Sequence, residues 1–184
     1  MSCKVTDGID NSCSALTKAS GLGKKFWVGY LSDLDTPFSI AQTADINSID
    51  FGAYGVLYPF EGSKFSHDFT WEMAVASGGS KSFNQAFNWK LMPDSTTDDA
   101  NVQSLLIGDD IFIIVEDMNQ EFFLLGASNG LTGTSGTGGS GGKEQGGDTA
   151  DSGTLSGNEK TKPLRFRLGG GYAATKAYLE NFEN

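Results

Sequence analysis

Few side chains in this sequence have the types and spacing that chemistry needs. His67 is the single histidine. A Ser-His-Asp arrangement needs a histidine free to take a proton from a nucleophile. His67 instead falls on the apolar side of an alternating stretch, "FSHDFTWEMAVA", residues 65–76, and reads as a core or interface residue. The run "GTGGSGG", residues 136–142, has the glycine content of a phosphate-cradling loop. It lacks the Gly-Lys-Ser/Thr ending, and no helix signal follows it. "DGIDN" and "SDLDT", residues 7–11 and 32–36, hold close acids that suit a weak surface cation site. Neither continues to the twelfth-position glutamate of an EF-hand, so solvated turn acids are the expectation. The 23 acids offer many carboxylate pairs for glycoside chemistry and no marker to choose one. Phe69, Trp71 and Trp89 form an aromatic stripe of a kind that binds sugars, but their alternation points to core. The reading is therefore of a non-enzyme, with no catalytic, cofactor-binding or metal-binding residue assigned.

The bulk properties agree with a structural or binding role. A chain of 184 residues fits one domain with a proper core. Thirteen Phe, five Tyr, three Trp and 25 Gly favour β structure with long loops. The net charge of −10 argues against ordinary nucleic-acid binding, which relies on Lys and Arg at phosphates. It also argues against docking on anionic membranes. It leaves open a channel along which DNA slides without sticking. Simple solubility explains the charge as well. "MSCKVTDGIDNSCSALTK" has no apolar signal region, so synthesis and folding in a cytoplasm are expected. Cys3 and Cys13 could pair, but two cysteines are too few for a disulfide scaffold, and reduced thiols are favoured.

The elements that would position these residues are mostly strands. Residues 1–24 read as a polar N-terminal arm. "KFWVGYL", residues 25–31, is the first strand; residues 32–48 form a long loop; "IDFGAYGVLYPF", residues 49–60, is strand-like with a bend. Residues 65–76 and "FNQAFNWKL", residues 83–91, alternate around the turn "SGGS" and predict an antiparallel hairpin. Its expected inward residues include His67, Phe69, Trp71, Met73, Val75, Phe83, Phe87, Trp89 and Leu91. Residues 94–110 carry a capping Ser95, Thr96 or Thr97, early acids Asp98 and Asp99, and an apolar stripe at Val102, Leu105 and Leu106. They predict a short helix ending at Gly108. "IFIIVED", residues 111–117, is a continuous apolar run expected at the centre of a sheet, and "EFFLLGA", residues 121–127, returns beside it. "PLRFRL", residues 163–168, is the last strand. Between these lies the Gly/Ser/Thr-rich stretch 128–161, whose composition predicts a long floppy loop. The tail "YAATKAYLENFEN" after "GGG" is aromatic, helix-compatible and expected to dock on its own domain or a neighbour. The sum is a mainly β protein. It is a β-sandwich or barrel of about six to seven antiparallel strands with one flanking α-helix, terminal arms and long loops.

This order of elements resembles that of tail-tube (major tail) proteins of tailed bacteriophages. The resemblance is closest in wording through "DDIFIIVEDMNQEFFLLGASNGL", residues 109–131, and covers most of residues 25–168 by element order. The opening "MSCKVTDGID…C" is similar in style to tail proteins of phages of Bacteroidetes hosts. The Gly-rich insertion and the aromatic tail depart from the pattern. The resemblance implies a tube domain at 25–168, an N-terminal arm at 1–24 and a C-terminal arm at 169–184. It implies a homo-oligomer of hexameric rings, or trimers that mimic them, stacked around an acidic bore through which DNA passes. Residues 1–24, 32–48 and 172–184 would reach between rings. Tape-measure and terminator proteins would be neighbours, and the virion tail the location. Other phage ring or decoration proteins, and a monomeric carbohydrate-binding sandwich, are the alternatives.

Overall fold

The computed structural model describes residues 21–40, 45–53, 55–62, 66–93, 95–138 and 150–183. Of the expected arm at 1–24, residues 1–20, with Cys3, Cys13 and "DGIDN", lie outside the described residues, while residues 22–24 belong to the first strand. The fold is mainly β, with two antiparallel sheets and a flanking helix. Five strands form one sheet: β1 (Leu22–Tyr30), β2 (Tyr58–Glu61), β5 (Ile111–Asp117), β6 (Phe122–Leu125) and β9 (Leu164–Phe166), in the order β2-β1-β5-β6-β9. Four form the other: β3 (Asp68–Val75), β4 (Lys81–Leu91), β7 (Thr132–Thr137) and β8 (Asp151–Glu159), in the order β3-β4-β8-β7. Helix α1 (Thr96–Ile107) lies against β7 and β8. Ser95 caps it by accepting from the backbone N–H of Asp98 at 3.2 Å, which satisfies one of the free donors of its first turn.

The first core lies between the sheets. Phe26 and Val28 of β1, and Ile111, Ile113 and Val115 of β5, meet Phe87, Trp89 and Leu91 of β4 and Leu155 of β8. The opposite face of the five-stranded sheet is buried too. There Trp27, Phe112, Ile114, Phe122, Leu124 and Phe166 form a second core with Phe38, Ile46, Ile49, Leu57 and Leu179. Both faces of β5 are therefore covered, which is why its sequence is an unbroken apolar run.

Two expectations are corrected by this arrangement. The stretch 128–161 is not one long loop: it supplies β7 and β8, and β8 sits inside its sheet with nine paired positions along β4. The strand total is accordingly nine among the described residues, above the six to seven expected. Of the two surfaces on which the tail was expected to dock, it takes its own domain: a second helix, α2 (Gly171–Glu180), packs on this chain's second core. Leu179 is fully buried there, the Tyr178 hydroxyl accepts from the backbone N–H of Ile49 at 2.9 Å, and Glu183 accepts from Lys25 and from Trp27. Part of the loop 32–48 closes the same core through Phe38 and Ile46. Of the described residues in 49–60, only Tyr58–Phe60 belong to a strand; Phe51 and Leu57 make isolated bridges.

Candidate functional site

His67 is buried just before β3. Its ring meets Phe26 edge-on at 4.9 Å and lies 6.1 Å from Phe87. Nδ1 accepts from the Lys90 backbone N–H at 3.4 Å, and Nε2 lies 3.3 Å from the Lys24 carbonyl. Burial lowers its pKa below the ordinary 6.5, against smaller opposing effects of the Lys24 carbonyl and Asp68. Ser66 Oγ is 3.4 Å from Nε2 and also donates to the Lys90 carbonyl. These contacts tie the loop before β3 to the end of β4.

The other chemistry-bearing residues are dispersed. Asp33, Asp35 and Asp50 organise a turn: the Asp50 carbonyl accepts from the Asp35 N–H at 2.8 Å, and its carboxylate accepts from Thr36. No group of three or more His, Cys, Asp and Glu converges among the described residues. The aromatic stripe is split along the hairpin. Trp89 is buried, Phe69 packs on Phe123 at 5.5 Å, and Trp71 is exposed. Gln85 and Glu159, both buried, hold the turn after β6. Gln85 accepts from the Gly126 N–H at 3.1 Å, and Glu159 accepts from the N–H groups of Ser128 and Asn129 at 2.8 and 2.9 Å.

The built features are on the four-stranded sheet. Its inward face carries Phe87, Trp89, Leu91 and Leu155. Period-two alternation puts Asp68, Thr70 and Glu72, Asn84, Ala86, Asn88 and Lys90, and Ser152, Thr154, Ser156 and Asn158 on the other face. Those side chains bond across the strands. Asn88 donates to Asp68 at 3.3 Å, Thr154 to Asn88 at 2.8 Å and Ser156 to Thr134 at 3.3 Å, while the Thr137 and Ser152 hydroxyls lie 2.9 Å apart. The result is a hydroxyl and amide surface with Asp68, Glu72 and Lys90 as its charges on β3, β4 and β8.

The edges of the two sheets differ. In the five-stranded sheet, edge strand β2 contains Pro59, and edge strand β9 is three residues long and bridged by Ile46. Both devices blunt an edge. In the four-stranded sheet, β3 runs eight residues without proline or bulge, and β7 has a bulge between Gly133 and Ser135 but no proline. Strand β3 pairs outward with no described residue, whereas β7 is met at its start, where the Gly133 N–H donates to the Gly108 carbonyl at 3.3 Å and the preceding Leu131 bridges Ile111. All four strands are antiparallel to their neighbours, so β3 and β7 run in opposite directions.

The hairpin β3–β4 also outruns the sandwich. Trp71, Met73 and Val75 share the apolar face with Phe69, yet they are 48%, 50% and 58% exposed. The expectation that these three point into the core is thus corrected: alternation fixes which face they share, not where the opposing sheet stops. At the other end of β4 a groove of about 560 Å³ opens between β2 and α1, lined by Val28, Tyr30, Tyr58, Leu91, Met92 and Leu105 among others. No helix among the described residues is long and apolar enough to cross a membrane. Comparison with family models, with curated proteins and with solved structures finds no match.

Proposed function

We propose that this chain is the self-assembling subunit of a tube. Its copies close side by side into rings, hexameric by the tail-tube resemblance, and the rings stack around a channel for genome delivery. The observation that carries this reading is the four-stranded antiparallel sheet, whose β3 edge pairs with no described residue and whose β7 edge is met only at its start, by Gly108. An even number of antiparallel strands lets a simple rotation place β3 of one copy against β7 of the next with antiparallel pairing kept all the way round. Closure removes every free edge of that sheet. The polar face then becomes a channel wall. Hydroxyls and amides hydrate it, and Asp68 and Glu72 outnumber Lys90, so phosphates find little to hold them. On this reading the protein resides in a virion tail after synthesis in a bacterial host, with tape-measure and terminator proteins as neighbours.

Negative-stain electron microscopy over a concentration series tests the proposal. Hollow tubes or stacked rings are the expected result. Closed single rings would point to a terminator or adaptor. Compact monomers at every concentration would count for a monomeric binding module and against the tube.

A further inference from the structure

We infer that the tip of the β3–β4 hairpin of one copy seats in the groove between β2 and α1 of a second copy, with Lys81 of the tip facing Glu61 of the groove. This rests on the self-assembly reading above and names the surfaces that join one ring to the next.

Four observations support it. Among the described residues the exposed large apolar side chains are Tyr58, Trp71, Met73, Val75, Met92 and Ile107. Trp71, Met73 and Val75 make the tip, and Tyr58 and Met92 line the groove, so five of these six belong to two surfaces. Patches of this kind mark contact sites. The shapes also correspond: the tip is a convex two-stranded ribbon, and the groove is concave with an aromatic wall, Tyr30 and Tyr58 being in edge contact at 6.3 Å.

Within one chain the two surfaces do not meet. Lys81 and Leu91 end the same strand, and ten residue steps of extended backbone span about 33 Å. A regular strand between them holds them apart, so the occupant must be another molecule. A contact between different surfaces of identical copies is heterologous, and it stays open-ended unless the rotation closes. That is the geometry needed for stacking, as distinct from ring closure through the sheet edges.

The charges are complementary. Lys81 lies directly across from Val75 and shares its face. Glu61 and Asp98 line the groove, and no basic residue is among its lining residues. Opposite charges brought together at the rim of an apolar contact would fix orientation and speed encounter.

Charge reversal is the test, read by sedimentation velocity and electron microscopy on the full chain. Lys81→Glu and Glu61→Lys should each raise the concentration needed for stacking about tenfold, and the double variant should return to within about threefold of the parent. Trp71→Ala, a change at a half-exposed site, should raise it at least about thirtyfold while single rings still form. Circular dichroism would confirm that each variant folds. If the parent stacks and all variants stack at the parent concentration, this contact is wrong and the self-assembly reading stands. If the double variant is no better than the singles, the Lys81–Glu61 pairing is wrong. A parent that stays monomeric removes both.

Discussion

The glycines of strands β7 and β8 are the seat of helix α1, and Gly133→Ala tests that. A Cβ at Gly133 would lie 1.8 Å from the Leu106 carbonyl oxygen. Real Cβ atoms keep more than an ångström farther from such an atom, and backbone oxygen has no rotamer through which to retreat. The helix or the strand must move. Gly136 and Gly153 face the Leu106 side chain, at 2.6 and 2.9 Å from where their Cβ atoms would be, so a lifted helix also loses those contacts. Overpacking of this kind costs about 1–3 kcal/mol, and the rigid partner argues for the upper end, about 3 kcal/mol. With a urea m-value of about 2 kcal/mol/M, that moves the midpoint down by about 1.5 M; a thermal midpoint would fall about 6–12 °C. Gly78→Ala is the control, since nothing lies within 4 Å of its added Cβ. It should change stability by less than about 0.5 kcal/mol. Equilibrium urea unfolding at a concentration too low for self-assembly keeps association out of the measurement. If Gly133→Ala unfolds within about 0.5 kcal/mol of the parent, α1 is not seated on β7 and the account of the glycines fails.

Two further outcomes follow from buried groups. Leu179→Ala should destabilise by about 2–5 kcal/mol, because Leu179 is fully buried in the second core. Urea unfolding checks it, and a loss below about 0.5 kcal/mol would refute the docking of the tail on its own domain. His67 makes stability depend on pH with a definite sign. Above its ordinary pKa of 6.5 the ring is neutral in both states and contributes no slope. Below that value the unfolded chain takes up the proton and the folded chain, whose pKa burial has lowered, resists it. Stability therefore falls as pH drops from 6.5 toward the folded pKa, by up to about 1.4 kcal/mol per pH unit. The difference in unfolding free energy between the parent and His67→Gln, measured from pH 7 to pH 5, should shrink with acid. A pH-independent difference would refute this.

Legibility in the sequence tracked how far packing is local. The hairpin β3–β4 showed because its alternation is carried by large side chains, Phe87 and Trp89 facing Leu155 and Gly153 of β8. Helix α1 showed because a cap and an apolar stripe are local signals. Strand β8 did not. Its inward row is Gly153, Leu155, Gly157 and Glu159, and its outward row is Ser152, Thr154, Ser156 and Asn158. Alternation is present there, but the inward positions are emptied to admit Trp89, Leu106 and the Gly130 carbonyl. A residue selected for the space it leaves resembles a residue selected for flexibility. The docking surface of α2 is not legible in the sequence, because short aromatic spacing does not say whether it meets its own domain or a neighbour. The exposed tip was also beyond reach, since face is a local property and coverage is not.

The two unlike edges of the four-stranded sheet bear on whether association is built in or accidental. A long, unblunted edge strand with apolar side chains is an aggregation hazard in a monomer. The five-stranded sheet avoids that hazard with Pro59 in β2 and a three-residue β9. The same chain leaves β3 eight residues long and continuous, next to exposed Trp71, Met73 and Val75. The opposite edge is not a copy of it. Strand β7 is shorter, has Thr, Ser and Gly as its residues, and carries a bulge between Gly133 and Ser135 that sharpens local twist. Two like apolar edges would pair with each other and end growth at a dimer. Unlike edges, one apolar and straight, the other polar and bulged, favour the head-to-tail pairing that repeats around a ring. In the proposed ring the bulge would add curvature on the strand at which neighbouring copies meet. The glycines that seat α1 inside and the bulge that bends β7 are thus parts of one segment, residues 132–137, and its composition serves both.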